Sequence, residues 1–133
     1  MPAGSGPNVA RTTGTSVAGA EVALVVFSAQ SWLNQLGVLI SASVNFTPGT
    51  AQTTLTLRIR QGNGVGGALV GIAHVQTTVA AAPIETAIQE LDTSAFALSG
   101  QAQQYTLTAQ ANAAGPGTSN AALLEIETVA PLI

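Results

Sequence analysis

The chain has 133 residues, no cysteine, no lysine, three arginines and six acidic residues, for a net charge of −3. That length suits one domain with a self-supporting core, and the missing thiols exclude a disulfide framework or a thiolate metal site. The lack of any basic run argues against nucleic-acid binding, and the longest unbroken apolar run, Val22 to Phe27, falls far short of the roughly 20 residues of a membrane helix.

Charged residues make up 7% of the chain, against about 25% in an ordinary soluble domain. Ala, Thr, Ser, Gln and Gly are left to build the surface, with little electrostatic protection against association. This composition predicts a surface that is largely covered by partners. No early positive charge precedes the apolar stretch, and Glu21 interrupts it, so no secretory signal is expected.

In chain order, residues 1–19 are rich in Gly, Pro, Ser and Thr and read as an extended N-terminal arm, with a strand beginning as early as Asn8 to Thr13. The domain proper is expected over 20–133. Glu21 to Ala29 is the first strong strand, with Val22, Leu24 and Val26 on one face and Ala23, Val25 and Phe27 on the other. Both faces are apolar, which predicts that both are covered. A short connection, Gln30 to Gln35, carries the only tryptophan, Trp32.

Leu36 to Arg60 carries the clearest pattern. Val38, Ile40, Ala42, Val44 and Phe46 alternate with more polar residues, as do Leu55, Leu57 and Ile59. Period-2 alternation on both sides of Pro48-Gly49 predicts a long hairpin closed by a type II turn. The glycine-rich Gln61 to Gly67 reads as a mobile loop, and the strand Ala68 to Val79 as bent at Gly71. Pro83 to Asp92 fits both a helix and a strand, and the β pattern around it favours the strand. Gln103 to Asn112 places Tyr105, Leu107 and Ala109 inward, and Asn120 to Val129 closes the series before the apolar tail Ala130 to Ile133. Seven or eight strands punctuated by Gly/Pro turns indicate an all-β, antiparallel β-sandwich.

Candidate chemistry is sparse. His74 is the only histidine and has neither cysteine nor a second histidine to share a metal, so a structural or exposed role is expected. Glu85, Glu90 and Asp92 lie close in sequence, but the aromatic residues that carbohydrate-active sandwiches use are few, and a solvated strand edge is the expected reading. One histidine cannot build a Ser-His-Asp triad, and the loop Gln61 to Gly67 lacks the lysine and following helix of a phosphate-binding loop. The sequence predicts no catalytic, cofactor-binding or metal-binding residue, and no enzyme. Arg58 and Arg60 share one strand face, as do Glu125 and Glu127. The two pairs either meet, within a sheet or across a subunit interface, or stand as separate exposed charges.

The succession SASVNFTPG, TLTLRIRQG, a Gly-rich loop, Ile84 to Asp92 spaced I-x₇-D, and G-x₄-YTLTA from Gly100 to Ala109 resembles the jelly-roll modules of tailed-bacteriophage virion proteins. Capsid decoration and head-fibre proteins are among them, and the TNF-like trimerisation fold is similar. The resemblance spans about Glu21 to Val129 and implies a single jelly roll of about eight strands. It further implies a virion location on the capsid surface, self-association as a trimer, and binding to the major capsid protein, with an N-terminal arm laid on a neighbour. Nucleic acid and membrane are not expected partners. On this reading the interface residues are Val9 and Arg11 in the arm, Val22, Leu24 and Val26 in the first strand, the Arg58/Arg60 and Glu125/Glu127 pairs, and Leu132 and Ile133 in the tail. The alternatives are a receptor- or glycan-binding fibre tip with Trp32 as its stacking residue, and a minor shell protein.

Overall fold

The computed structural model describes residues 9–27, 37–94, 96–98, 103–112 and 116–129. They form eight strands: β1 (Val9–Val17), β2 (Val22–Val26), β3 (Gly37–Pro48), β4 (Thr54–Gln61), β5 (Leu69–Thr77), β6 (Ile84–Asp92), β7 (Tyr105–Ala111) and β8 (Gly117–Val129). Sheet one has the order β1-β8-β3-β6 and sheet two the order β2-β7-β4-β5. Every neighbouring pair is antiparallel. Pairs β1–β8, β2–β7, β3–β6 and β4–β5 nest inside one another, which is a long double ribbon wrapped into a jelly roll. The all-β sandwich predicted from the strand pattern is the fold observed.

The core lies between the sheets and follows the alternation read from the sequence. Ile40 and Phe46 of β3, Leu55 and Ile59 of β4, and Tyr105 and Leu107 of β7 are fully buried. Each such side chain contributes about 1.5–3 kcal/mol by leaving water. Pro83 to Asp92 contributes the strand β6, whose even-numbered residues turn inward, with Ile88 and Asp92 buried.

Three expectations are corrected. The stretch Leu36 to Arg60 is not a hairpin: β3 pairs with β8 and β6, while β4 pairs with β7 and β5. Alternation shows that a strand has an inner face without showing which sheet it joins, and Pro-Gly does not favour the primed turns that close tight hairpins. The connection instead crosses from one sheet to the other, with Gly49 N donating to Pro116 O (2.8 Å) and Ala81 N donating to Gly49 O (2.8 Å). Gly49 does not adopt the left-handed φ of a type II turn. A Cβ there would stand 2.8 Å from Pro116 O, so close backbone approach is what selects glycine.

The boundary at residue 19 also moves. Val9–Val17 pairs with β8 along its length, Val17 is fully buried, and Thr12 Oγ1 donates to Leu24 O of sheet two (2.7 Å). The polar composition that suggested an arm belongs to an edge strand. In β2, a register shift between Ala23 and Val25 breaks the expected two-face division. Leu24 and Val25 are both buried, which places Leu24 in the core and removes it from the surface.

Candidate functional site

Four places concentrate polar or exposed apolar groups. The first is the outer face of sheet two. β4 presents Arg58 and Arg60 outward, β7 presents Thr108 and Gln110, and Glu21, just before β2, reaches over them. Arg60 Nε and Nη2 donate to the two Glu21 oxygens (2.6 and 2.8 Å), and Arg58 Nη1 lies 3.4 Å from Oε1. Thr108 Oγ1 donates to the same carboxylate, and Arg58 Nη1 also donates to Gln110 Oε1 (2.9 Å). The bidentate bond from Arg60 is the main cause holding the Glu21 carboxyl below its ordinary value. Burial opposes it, while Thr108 and the two positive charges assist. Arg60 Nη1 donates to Gly67 O (2.9 Å), and Thr106 Oγ1 donates to Gly62 O (2.7 Å) and accepts from Gly64 N (2.9 Å). The glycine-rich loop expected to be mobile is therefore tied onto this face.

Glu125 and Glu127 do not meet these arginines within the chain. Both are exposed on the outer face of β8 in sheet one, on the far side of the sandwich from Arg58 and Arg60. The paired-charge expectation is corrected within one chain, because Glu21 occupies both guanidinium groups. Alternation within β4 and β8 could not reveal a partner that lies 37 and 39 residues before the two arginines.

The second place is a buried polar network at the end of β6. Asp92 is 4% exposed. Its Oδ2 accepts from Tyr105 OH (2.9 Å) and Gln61 Nε2 (3.1 Å), and its Oδ1 accepts from Ser94 N (2.9 Å). Burial by itself raises the Asp92 pKa, but the bonds from Ser94, Tyr105 and Gln61 together outweigh it, and the carboxyl sits below its ordinary value. Burial, reinforced by the carboxylate, raises the Tyr105 phenol. Phe96 packs edge-on against the Tyr105 ring at 5.6 Å. The three acids of β6 thus do different work: Glu85 accepts from Asn45 Nδ2 (3.3 Å) on the outer face, Glu90 bonds His74, and Asp92 anchors the core.

The third place is the side of the sandwich where β5 and β6 lie over one another. His74 Nε2 is 2.7 Å from Glu90 Oε2, and Ile72 N donates to the same oxygen (3.1 Å). This clasp joins sheet two to sheet one. It depends on Gly71, whose φ is +71° and where a Cβ would stand 2.1 Å from Glu90 Oε1. The bend predicted at Gly71 is present as a register irregularity between β4 and β5. A cleft of roughly 310 Å³ opens here onto Leu55, Leu57 and Ile88. Around it the surface is apolar: Ile72 is 65%, Val75 64% and Val79 70% exposed. The glycine at position 71 predicts a bend in this strand and says nothing of its exposure. Its signal was legible, since Leu69 to Val79 has apolar residues on both faces and no formal charge, the pattern that marked β2 as covered.

The fourth place is a groove of roughly 530 Å³ across the outer face of sheet one. Strand pairing builds it from two neighbouring rows, Arg11–Leu123–Ser43–Ala87 and Thr13–Ala121–Asn45–Glu85. Asn45 is held from both sides: its Oδ1 accepts from Asn120 Nδ2 (2.8 Å) and its Nδ2 donates to Glu85. Val9 and Arg11 lie on β1, Arg11 exposed and Val9 half-buried; Val22 and Val26 are half-buried on β2. Trp32, Leu132 and Ile133 lie outside the described residues. Among the described residues, no cluster of three or more His, Cys, Asp or Glu side chains is placed to hold a metal.

No protein-family model matches the chain, and no curated protein matches its sequence. Its fold is similar to solved structures. A chain of infectious bursal disease virus, Gx strain, aligns with a TM-score of 0.58 and 13% identity, over 90% of this chain and 32% of that one. This chain therefore spans about a third of the viral chain it matches. A chain of the disulfide-linked pili that form Bacillus endospore appendages aligns with a TM-score of 0.41 and 14% identity, over 98% of this chain and 96% of that one. A CBM4 structure aligns with a TM-score of 0.44 and 11% identity, over 91% and 94%. At these identities the alignment to the viral chain establishes the β-sandwich fold and nothing narrower.

Proposed function

We propose that this chain is a non-enzymatic structural protein of a virus particle, and within that class a decoration protein of a tailed bacteriophage. In this reading it sits on the capsid surface as a trimer and clamps neighbouring copies of the major capsid protein. The observation that carries the proposal is the uncharged β5 edge and the turn after it, where Ile72 and Val75 of the strand and Val79 just beyond it are all more than 60% exposed. A long apolar edge strand invites pairing with another chain, and a protein with so few charges is poorly protected against it. The jelly-roll topology and the fold likeness to a viral chain are consistent with this use of the surface. With β1 built into the sandwich, the segment left to lie on a neighbouring subunit is residues 1–8.

The mass of the purified protein, alone and after sedimentation with empty capsids, tests the proposal. A trimer that saturates shells at a fixed ratio per threefold position is the expected result. Copy number separates decoration from a minor shell role. A protein that stays in the supernatant would overturn the virion reading.

One observation favours a second reading, a glycan-binding module of a fibre tip. The groove over sheet one combines an aliphatic floor with the fixed amide of Asn45, a mixture that suits hydroxyl-rich ligands. Glycan-array binding lost in Asn45→Ala or Trp32→Ala, with melting temperature kept, would favour it over cementing.

A further inference from the structure

We propose that the β5–β6 side of one copy docks head to tail against the β1–β2 side of the next. This inference rests on the association reading above and names its seam. The jelly roll has two open sides, one formed by the edge strands β5 and β6 and the other by β1 and β2. Three of the four edges carry features that discourage backbone pairing with a further strand, so the seam is a side-chain contact between the two sides and adds no strand to either sheet. β6 carries Glu85, Glu90 and Asp92; β1 carries Arg11 and a left-handed kink at Gly14; β2 is five residues long and irregular. β5 has no such charge, since its one titratable side chain, His74, is turned to Glu90.

Charge decides which surface covers β5. Arg58 and Arg60 are engaged by Glu21. Arg11 is exposed on the outer face of β1, where Ala10 and Val22 pack nearby against the core. Glu85 is exposed on the outer face of β6, the sheet-one edge on the same side of the sandwich as β5, where it accepts from Asn45 Nδ2 (3.3 Å) and keeps its charge. Arg11 and Glu85 thus occupy opposite margins of the same sheet face, in adjacent cross-strand rows. When β6 of one copy runs beside β1 of the next, the cation and the carboxylate fall on the same side of the seam. A twofold contact through β5 would instead bring Glu85 towards its own copy and leave Arg11 outside. The complementary arrangement is head to tail, in which different residues meet from each side. Such contacts close into rings when the rotation per copy allows, and a ring of three is the form that the decoration reading needs.

Native mass spectrometry and sedimentation of the full chain, without capsids, test the seam. Val75→Lys places a charge in the apolar edge and is expected to yield a folded monomer, with the wild-type circular dichroism spectrum and a melting temperature that no longer rises with protein concentration. Arg11→Glu and Glu85→Arg should each weaken assembly roughly tenfold by setting like charges across the seam, and the double exchange in one chain should restore it. A wild-type monomer, or assembly indifferent to Val75→Lys, overturns the proposal. So does assembly that Val75→Lys breaks but neither charge reversal affects, because that pattern belongs to a contact that does not use Arg11. Failure of the virion reading is separate: a wild-type oligomer with the expected charge-swap behaviour that ignores capsids would retain this seam and remove only its setting.

Discussion

Asp92→Ala is expected to destabilise the fold by about 3 kcal/mol, with a fall in melting temperature of roughly 10 °C. The carboxylate is buried and accepts from Tyr105, Gln61 and Ser94. Removing it strands a buried phenol and leaves Gln61 and the Ser94 amide to find other partners. A buried donor left unsatisfied costs about 1–3 kcal/mol, and hydrogen bonds to a charged acceptor are stronger than neutral ones. Tyr105→Phe should cost less, about 1 kcal/mol, because it removes one donor and leaves the carboxylate its others. The two effects should not add. Once Asp92 is gone, Tyr105→Phe removes a hydroxyl that no longer has its partner, so a double-mutant cycle by chemical denaturation should show a coupling of about 1 kcal/mol or more. Additive effects would mean that the phenol and the carboxylate do not depend on each other.

The same residue sets a pH dependence of known sign. Asp92 and Glu21 both hold their carboxyls below the ordinary value in the folded chain. The unfolded chain therefore takes up protons first, near pH 4, and stability falls as pH drops through the folded values. Above the unfolded values the contribution of each group is complete. Denaturant midpoints measured from pH 7 downward should stay level until about pH 5 and then decline, and Asp92→Ala should show a shallower decline.

Local pattern and long-range pairing differ in what a sequence reveals. The alternation in Val38 to Phe46, Leu55 to Ile59 and Tyr105 to Ala109 reports one variable, which side of a strand is apolar, and the fold agrees at each. Sheet membership is set by partners far along the chain, such as Gly117 opposite Pro48, and no local period encodes it. The pairing of Glu21 with Arg58 and Arg60 is equally invisible to local pattern, for the same reason. Asp92 was closer to legible. Tyr105 pointed inward, a buried phenol needs a partner, and Asp92 shares the inward parity of Ile84 and Ile88. What concealed it was its company, since Glu85 and Glu90 made the segment look like a solvated edge. In β5 the glycine bend is the more conspicuous local feature, while the absence of formal charge along the strand is the better signal of its exposed apolar side chains.

Deleting residues 1–17 is expected to abolish stable folding, whereas deleting residues 1–8 should leave the melting temperature nearly unchanged. The longer deletion removes β1 and its whole ladder to β8, the fully buried Val17, and the bond from Thr12 to Leu24 that ties sheet one to sheet two. It leaves the unpaired backbone groups of β8 as a new edge directly over Leu124 and Ile126 of the core. The loss is comparable with the roughly 5–15 kcal/mol that holds an entire domain of this kind together. The shorter deletion leaves every described strand in place. Circular dichroism melts of both forms measure the contrast, and a cooperative melt for the longer deletion near the wild-type temperature would show that β1 adds little to the sandwich. The contrast also decides how capsid binding must be read. A truncation at residue 19 confounds loss of an arm with loss of an edge strand, so only the form lacking residues 1–8 can show whether the N-terminus itself contacts a neighbouring subunit.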